Sequence, residues 1–356
     1  MIEKKIKIKD IASLAGVSAG TIDRVLHNRG NVSLETQDKV RKILKEINYS
    51  PNLYASALAS KKVLSILAVI PQYKPGDYWE KIEVGIRQGA LELSNFKVNI
   101  RILYFDQYAV DSFCEIMEEA IASKPDGLLL APSINSITKK YTQKMDSADI
   151  KYIFIDSQIE DANPLAYFGQ HSFQSGYLGA KLLFAQNIEI KEMAIFSFYH
   201  EGQETNNQIS LRMKGFLSYR ENKNIRGKIH RASFLEDDKE RNEKIMKTLF
   251  LEKTKLGAAV IFTSRAYIVA EFLEKHNIKG IALIGYDMLE KNIACLKRGT
   301  ISHLIAQRPE EQSYKAIKAL SDFLLFKKKA NKINYVPIDI LMQENIDFYN
   351  SMFCCG

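Results

Sequence analysis

The sequence has few cysteines, a single tryptophan and no long apolar run. Its four cysteines, Cys114, Cys295, Cys354 and Cys355, lack the spacing of a metal site. Cysteine used this sparsely predicts a reducing, cytoplasmic location without structural disulfides. No stretch of about 18 apolar residues occurs, so we expect no membrane span. The N-terminus alternates lysine with isoleucine and lacks an apolar core, so it is not expected to be a secretory signal.

Recognised catalytic motifs are also missing. The six histidines are scattered, without paired metal-ligand spacing, and no glycine-rich phosphate loop or nucleophile elbow is present. We therefore expect a protein that is not an enzyme and that needs no cofactor or metal. The composition is that of a globular protein, since 46% of the 356 residues are hydrophobic and 26% are charged. That length predicts two or three domains.

Positive charge is concentrated near the N-terminus. Residues 1–62 contain twelve lysines and arginines against six acids, so they carry +6 of the net +8, and the other 294 residues carry +2. A small basic module before a near-neutral body is typical of a polyanion-binding head. On charge alone, a solvated lysine-rich terminus explains the pattern equally well.

The basic segment shows three short helical patterns within residues 6–48. The first covers residues 8–14, and Gly16 then supplies a turn. Ser18 is placed to cap a second helix over residues 19–27, and Ser33 to cap a third. Two short helices joined by a tight glycine turn predict a helix-turn-helix, whose second helix enters the major groove of DNA.

Residues 8–60 resemble the DNA-binding head and hinge of the LacI/GalR family of bacterial repressors. The match runs without a gap from "IKDIASLAGVSAGTIDRVLHNRG" to "INYSPNLYASALAS". It implies that Arg24 can donate two hydrogen bonds to O6 and N7 of a guanine, and that residues 51–59 form a hinge helix in the minor groove. Leu58 then wedges between base steps; without the resemblance it is an ordinary linker residue. The implied DNA-binding residues are Lys7, Ser18, Ala19, Gly20, Thr21, Arg24, Asn28, Asn31, Asn52, Ala55 and Leu58.

The sequence departs from the family pattern in three ways. Ala19 and Gly20 open the recognition helix where many relatives carry larger polar side chains. Asp23 either accepts from a cytosine or orients Arg24. Lys7 stands where relatives have a capping hydroxyl residue, and it cannot cap the helix. The operator sequence therefore does not follow from this chain.

From residue 64 onward, continuous apolar runs alternate with amphipathic helical patterns. This alternation predicts parallel sheets covered on both faces, in two doubly wound lobes with a ligand cleft at the carboxyl ends of the strands. The predicted strands are 64–70, 98–104, 127–131, 152–155, 166–169, 192–198, 228–232, 258–262, 282–285 and 303–306. The predicted helices include 78–94, 112–123, 173–185, 211–221, 239–250, 266–276 and 310–326.

This body resembles the periplasmic-binding-protein-like effector domain of the same family, closest to its ribose-binding-protein-like members. The clearest points are residues 169–176, 284–287 and 299–312. The resemblance implies an effector site formed by Tyr78, Trp79, Asp156, Arg212, Arg265, Asp287 and Gln307. Two alternatives remain at the level of the residues, since Trp79 fits a buried core and each aspartate fits a helix N-cap. Ser157 departs from the arginine of sugar-binding relatives, which leaves the sugar undefined.

The expected fold is a small all-α helix-turn-helix domain followed by an α/β body of two doubly wound, periplasmic-binding-protein-like lobes. The expected boundaries are a head over 1–50, a hinge over 51–62 and a body over 63–356. Within the body, lobe 1 is expected over 63–163 and 290–322, and lobe 2 over 164–289 and 323–356.

The resemblance implies a homodimeric, cytoplasmic transcriptional regulator, a repressor, without a membrane partner. It binds double-stranded operator DNA, and a sugar-like effector in the cleft switches its operator affinity allosterically. The alternative is a solute-binding protein of sugar transport or sensing that does not regulate DNA. The sequence does not say whether the effector induces or co-represses.

Overall fold

The structure, a computed structural model, describes most of the chain in two compact units. The described residues are 7–26, 30–47, 49, 57–58, 62–132, 135–185, 190–199, 207–235, 238–252 and 256–349. The units are Met1–Ala59, called the head, and Ser60–Gly356, called the body. The head therefore contains most of the segment that carries the excess positive charge.

The described part of the head consists of helices α1 (Ile8–Ala15), α2 (Ala19–Leu26) and α3 (Leu34–Glu46). Gly16 ends α1 with a φ of +68°, a left-handed conformation that glycine adopts without strain. The Ser18 hydroxyl then accepts a 3.1 Å hydrogen bond from the amide of Thr21 and caps α2. These features confirm the predicted helix-turn-helix. Its small apolar core consists of Ile11, Ala12, Ala15, Ile22, Val25 and Val40.

The body alternates strands and helices along the chain. Its strands are β1 (Leu64–Pro71), β2 (Val98–Phe105), β3 (Gly127–Leu130), β4 (Lys151–Ile155), β5 (Ala166–Gly169), β6 (Glu192–Tyr199), β7 (Lys228–Leu235), β8 (Leu256–Ile261), β9 (Ala282–Tyr286), β10 (His303–Ala306), β11 (Ile333–Tyr335) and β12 (Asp339–Leu341). Its helices are α4 (Tyr78–Glu92), α5 (Val110–Ala122), α6 (Asn135–Ser147), α7 (Ser172–Phe184), α8 (Asn207–Asn222), α9 (Lys239–Lys247), α10 (Tyr267–Lys275), α11 (Glu290–Lys297) and α12 (Pro309–Phe326).

Within the described ranges these strands form two six-stranded sheets, one in each lobe. The strand order is β11-β5-β4-β3-β1-β2 in lobe 1 and β12-β10-β9-β8-β6-β7 in lobe 2. All pairs are parallel except β10 with β12. The inner strands are buried because helices cover both faces of each sheet, as the continuous apolar runs predicted. The shared order makes β4 of lobe 1 the counterpart of β9 in lobe 2.

The chain passes between the lobes at three crossovers, which lie between β5 and α7, between β10 and α12, and between β11 and β12. The predicted lobe boundaries are wrong at these places. Strand β5 pairs with β4, so lobe 1 extends to residue 169, and β11 adds residues 333–335 to it. Strand β10 pairs with β9, so residues 303–306 belong to lobe 2. The apolar pattern shows that a strand is buried but not which sheet it joins.

The ten predicted strands are present, with ends that shift by a few residues. Strands β11 and β12 were not predicted because each has three residues and lies at the edge of its sheet. The burial of β11 alternates, so it shows no continuous apolar run. Strands this short are defined by their pairing partner rather than by their own sequence.

Two kinds of feature are missing from the described ranges. None of their helices is both long and apolar enough to cross a membrane. Nor do three or more histidine, cysteine or acidic side chains come together there in a way that could hold a metal ion. Several buried polar side chains instead directly follow the ends of strands, among them Asp156, Asp287 and Gln307.

Candidate functional site

The outward face of α2 carries small and polar side chains. Ala19, Gly20 and Arg24 are exposed, and the hydroxyl oxygens of Ser18 and Thr21 lie 2.9 Å apart beside them. A Cβ built on Gly20 meets its nearest atom, the Ser18 hydroxyl, at 3.7 Å. The opposite face of α2 is buried in the head core. The outward face therefore leaves room for close approach of a partner and presents one guanidinium fork beside it.

The other predicted DNA-binding residues are described only in part. The backbone amide of Lys7 donates to the Asp10 carboxylate at 2.8 Å, so the acid caps the start of α1, since an ammonium group has no acceptor. Asn31 is exposed and has a φ of +68°. Leu58 is 48% exposed, a large share for a leucine. The predictions for Asn28, Asn52 and Ala55 fall outside the described residues.

Two aspartates occupy corresponding positions in the lobes. Asp156 follows β4 and Asp287 follows β9, and both have a left-handed backbone, with φ of +66° and +68°. Neither caps a helix, because α11 has its N-cap at Leu289 and α7 at His171. The N-cap alternative is therefore wrong for both residues. Each carboxylate instead ends an inner strand at the carboxyl edge of its sheet, where open α/β folds bind ligands.

A chain of side-chain hydrogen bonds joins these two carboxylates across the lobes. The Gln208 amide nitrogen, on α8 of lobe 2, donates to the Asp156 carboxylate at 3.2 Å and to the Gln307 amide oxygen at 3.0 Å. The Gln307 amide nitrogen then donates to the Asp287 carboxylate at 2.7 Å. All four side chains are buried. The predicted residues Asp156, Asp287 and Gln307 are thus brought together in one polar centre, called the cleft centre.

Arg212 supplies the positive charge of the cleft centre, and its side chain is only 1% exposed. Its Nη1 donates to the carbonyl of Phe262 at 2.6 Å, and its guanidinium carbon lies 4.1 Å from the centroid of the Tyr286 ring. Its Nε and Nη2 atoms have no hydrogen-bond partner among the described residues. These two groups are donors that a molecule with acceptor atoms could satisfy.

Close contact between α7 and α8 positions this arginine. A Cβ on Gly176 of α7 would lie 1.9 Å from the carbonyl oxygen of Arg212. A Cβ on Gly215 of α8 would lie equally close, 1.9 Å, to the carbonyl oxygen of Phe173. Only glycine permits this helix spacing, because a real Cβ cannot approach a carbonyl oxygen so closely.

Burial sets the electrostatics of the cleft centre. It raises the pKa of Asp287 to about 6, and the charge of Arg212 opposes the rise. Burial also raises the pKa of Asp156, against hydrogen bonds from Tyr78 and Gln208 and the charge of Arg212. Two carboxylates beside one guanidinium give the centre acceptors for hydroxyl groups and a donor for an oxygen.

The other predicted effector-site residues are Tyr78, Trp79 and Arg265. The Tyr78 hydroxyl donates to the Asp156 carboxylate at 2.8 Å. Trp79 is half-buried; its ring meets Tyr78 edge to face at 5.2 Å between centroids, and its Nε1 donates to Gln107 at 3.3 Å. Arg265 lies with its guanidinium carbon 5.2 Å from the centroid of the Phe198 ring. Trp79 packs against the core of lobe 1, which leaves both interpretations of it open.

Three buried glutamines of the cleft were not predicted. Gln208 lies one helical turn before Arg212, a spacing that places both side chains on one face of α8. Gln312 accepts from the Asp156 amide at 2.8 Å, and Gln170 lies at the first crossover. Gln170 and Gln312 lie within the segments that carry the family resemblance. That position is the one signal that could have identified them; Gln208 lies outside these segments, and an uncharged amide adds no charge pattern.

Comparison with known families matches both units. Residues 7–52 match the model described as bacterial regulatory proteins, lacI family, and residues 67–328 match the model described as periplasmic binding protein domain. The second match covers well over half of the chain. The boundary between the two matches lies close to the boundary between head and body.

Curated relatives are named as transcriptional regulators and come from bacteria. The sucrose operon repressor of Staphylococcus xylosus is 27% identical over 231 residues, which are 64% of this chain and 66% of that protein. The HTH-type transcriptional regulator DegA of Bacillus subtilis is 29% identical over 179 residues, 50% of this chain and 52% of that protein. The chain thus spans between half and about two thirds of the length of these relatives.

Solved structures match about four fifths of the chain. A crystal structure from Bacteroides fragilis, described as a proposed LacI transcriptional regulator, is 37% identical with a TM-score of 0.78, and the match covers 81% of this chain and all (100%) of that one. The glucose-galactose binding protein GanP of Geobacillus stearothermophilus is 22% identical with a TM-score of 0.67, covering 80% of this chain and 99% of that one. The second likeness shows the fold alone. Taken with the matches of both units, the first shows that this chain belongs to the lacI family of bacterial regulatory proteins, with a periplasmic binding protein domain as its body.

Proposed function

We propose that this chain is a sequence-specific DNA-binding transcriptional regulator, a repressor, whose affinity for operator DNA is switched by a small polyhydroxylated ligand in the cleft centre. The observation that carries the proposal is the joining of two sites in one chain. A helix-turn-helix head exposes the face of α2, and a two-lobed body holds the buried polar centre. A transport protein needs the second site and has no use for the first.

The head supports DNA recognition by its shape and charge. The exposed Arg24 guanidinium can donate to the O6 and N7 acceptors that guanine presents in the major groove. Ala19 and Gly20 add no bulk, so the backbone of α2 can approach base edges, and Ala19 can contact a thymine methyl. Phosphate contacts from Ser18 and Thr21 would set the register.

The cleft centre supports a sugar or sugar derivative as effector. Carboxylates that follow parallel strands accept pairs of vicinal hydroxyls, and the unused donors of Arg212 fit a hydroxyl or ring oxygen. The Gln208 bond from lobe 2 to Asp156 in lobe 1 shows that the polar groups of both lobes reach each other. A ligand that joins this network would bias how the lobes close.

The remaining parts of the proposal concern partners and location. The regulator is a homodimer that places two heads on the half-sites of a pseudo-palindromic operator, and it acts in the cytoplasm without catalytic activity. The curated relatives are transcriptional regulators by name, which supports this mode of action.

The test uses the full chain. Selection from random double-stranded DNA should enrich a pseudo-palindrome that shifts in electrophoresis at nanomolar protein concentration and moderate salt. Arg24→Ala should abolish the shift, whereas Lys214→Ala, an exposed change in the body, should not. Thermal shift against D-ribose, D-glucose, D-galactose, sucrose and glucose 6-phosphate then identifies an effector class. The regulator proposal fails if no sequence is enriched.

A further inference from the structure

Gln170 lies where the three crossovers meet. It directly follows β5, at the first crossover, and is only 1% exposed. Its side-chain nitrogen donates to the carbonyl oxygen of Ala306 at 2.8 Å and to that of Pro337 at 3.4 Å. Ala306 ends β10 at the second crossover, and Pro337 lies in the third. One carboxamide therefore holds the backbones of the other two crossovers.

The orientation of this carboxamide follows from its neighbours. Carbonyl oxygens can only accept, so the two that face Gln170 require the NH₂ end of the amide. Its Oε1 has no hydrogen-bond partner among the described residues. Leaving a buried acceptor unpaired costs free energy. The two bonds that the NH₂ group makes to the crossovers offset that cost.

The same residue is linked to the cleft centre on both sides. The Tyr167 hydroxyl lies 3.2 Å from the Gln170 carbonyl and 3.0 Å from the Asp156 carbonyl, so it connects the crossover to the aspartate of lobe 1. On the other side, Ala306 immediately precedes Gln307, whose amide holds Asp287. Gln170 thus fixes the backbone from which the second aspartate is oriented.

Gln170 and Gln307 follow corresponding strands, β5 and β10, yet their side chains have different partners. Gln307 points to the cleft centre, and Gln170 points to the crossovers. Any change in the angle between the lobes must be absorbed by the three connecting segments, so a group that contacts all three is sensitive to that angle. A group in the cleft centre instead contacts the ligand.

We propose that Gln170 is a positioning residue for effector binding: its carboxamide ties the three crossovers together and so sets how readily the lobes close. The effector part of this inference rests on the proposed function. The closure part does not, since it concerns the ligand-free chain.

The first test is hydrogen–deuterium exchange on the ligand-free, full-length chain. Gln170→Met keeps an unbranched side chain of similar size and removes the donor, and Gln170→Ala removes the side chain. Gln174→Ala, an exposed change four residues on, is the control. We expect several-fold faster exchange in peptides covering 155–159 and 303–307 for both Gln170 variants, and unchanged exchange in β1, in β6 and throughout the control.

Two outcomes overturn the inference. The first is exchange that matches wild type in the cleft peptides of both variants. The second is a uniform rise through both sheets, or unfolding of both variants, because either result makes Gln170 an ordinary structural residue. If only Gln170→Ala fails to fold, Gln170→Met decides.

The second test measures binding of whichever sugar in the thermal-shift panel stabilises wild type most. We expect Gln170→Met to weaken its binding about tenfold and to reduce its effect on operator affinity, while operator affinity without sugar changes less and the control matches wild type. Unchanged sugar affinity with an unchanged operator effect contradicts the inference. If no panel sugar binds wild type, the effector proposal fails, and the exchange experiment still decides the role of Gln170 in closure.

Discussion

The Tyr78 hydroxyl donates a 2.8 Å hydrogen bond to the buried carboxylate of Asp156, which also accepts from Gln208 of the other lobe. A tyrosine at the start of α4 thereby orients the aspartate at the end of β4. The hydroxyl also accepts from Gln312 at 3.2 Å, so one oxygen serves two buried partners. The orientation of the lobe 1 carboxylate depends on this phenol.

Removing the phenol oxygen tests that dependence. Tyr78→Phe leaves Asp156 and Gln312 each short of a partner, so we expect a loss of about 1–3 kcal/mol in unfolding free energy. Tyr335→Phe, at a half-exposed edge position, is the matched control and should remain within about 0.5 kcal/mol of wild type. Urea denaturation followed by circular dichroism gives both values. Equal midpoints for the two variants would count against the role of the phenol.

The raised pKa of Asp287 predicts that this group lowers the free energy of unfolding by an amount that depends on pH. Its ordinary pKa is 3.8 and its folded pKa is about 6, so the folded protein keeps this proton at pH values where the unfolded chain has lost it. Stability from this group therefore falls as the pH rises from about 4 to about 6, and the penalty is complete above that range.

Asp287→Asn removes the penalty. We expect it to raise the unfolding free energy at pH 7.5 by up to about 3 kcal/mol, and the difference from wild type to shrink towards pH 4. The same variant should lose effector affinity, because an amide is a poorer acceptor for hydroxyls. Asp111→Asn, on an exposed helix face, serves as control. A stability difference that does not vary with pH would contradict the assignment.

Gly176 and Gly215 allow α7 and α8 to pack closely, so a larger residue at either position should force the helices apart. Gly176→Ala places a methyl group 1.9 Å from the Arg212 carbonyl, so the helices must move apart. We expect a loss of about 3 kcal/mol or more, and weaker effector binding because Arg212 moves with α8. Gly257→Ala is the control, because its nearest atom lies at 3.9 Å. Thermal melts of both variants check the prediction, and similar melting temperatures would refute it.

At Gly20, in contrast, we expect a substitution to raise stability while it lowers operator affinity. A Cβ there meets nothing closer than 3.7 Å, so Gly20→Ala should stabilise α2 by about 1 kcal/mol. If the backbone of α2 approaches base edges, the added methyl should also lower operator affinity. Melting of the head and a mobility shift measure the two effects. A stabilised variant with unchanged operator affinity would show that Gly20 does not face a base edge.

The helices of the head could be predicted from the sequence because the turn and cap residues that define them act locally. Gly16, Ser18 and Ser33 are a turn residue and two caps, and their geometry depends only on nearby backbone atoms. In the body, burial of each strand was predictable from its apolar run. The sheet that each strand joins was not, because β5 and β10 owe their places to partners far along the chain.

The cleft centre was partly predictable for the same reason. A carboxylate that ends an apolar strand gives a clear signal, and the structure brings Asp156 and Asp287 together as expected. Gln208, which links Asp156 to the predicted Gln307, gives no such signal, and neither does Gln170, since both gain their roles only when the lobes bring their partners within reach.

Three segments that cross between the lobes at one place leave the body few degrees of freedom. A single connection would allow the lobes to twist and slide, but three connections held together resist both and permit mainly a rotation about one axis. Effector binding energy is then converted into a defined displacement rather than spread over many motions. Such a mechanical constraint suits a protein whose output is a change in the distance between two points.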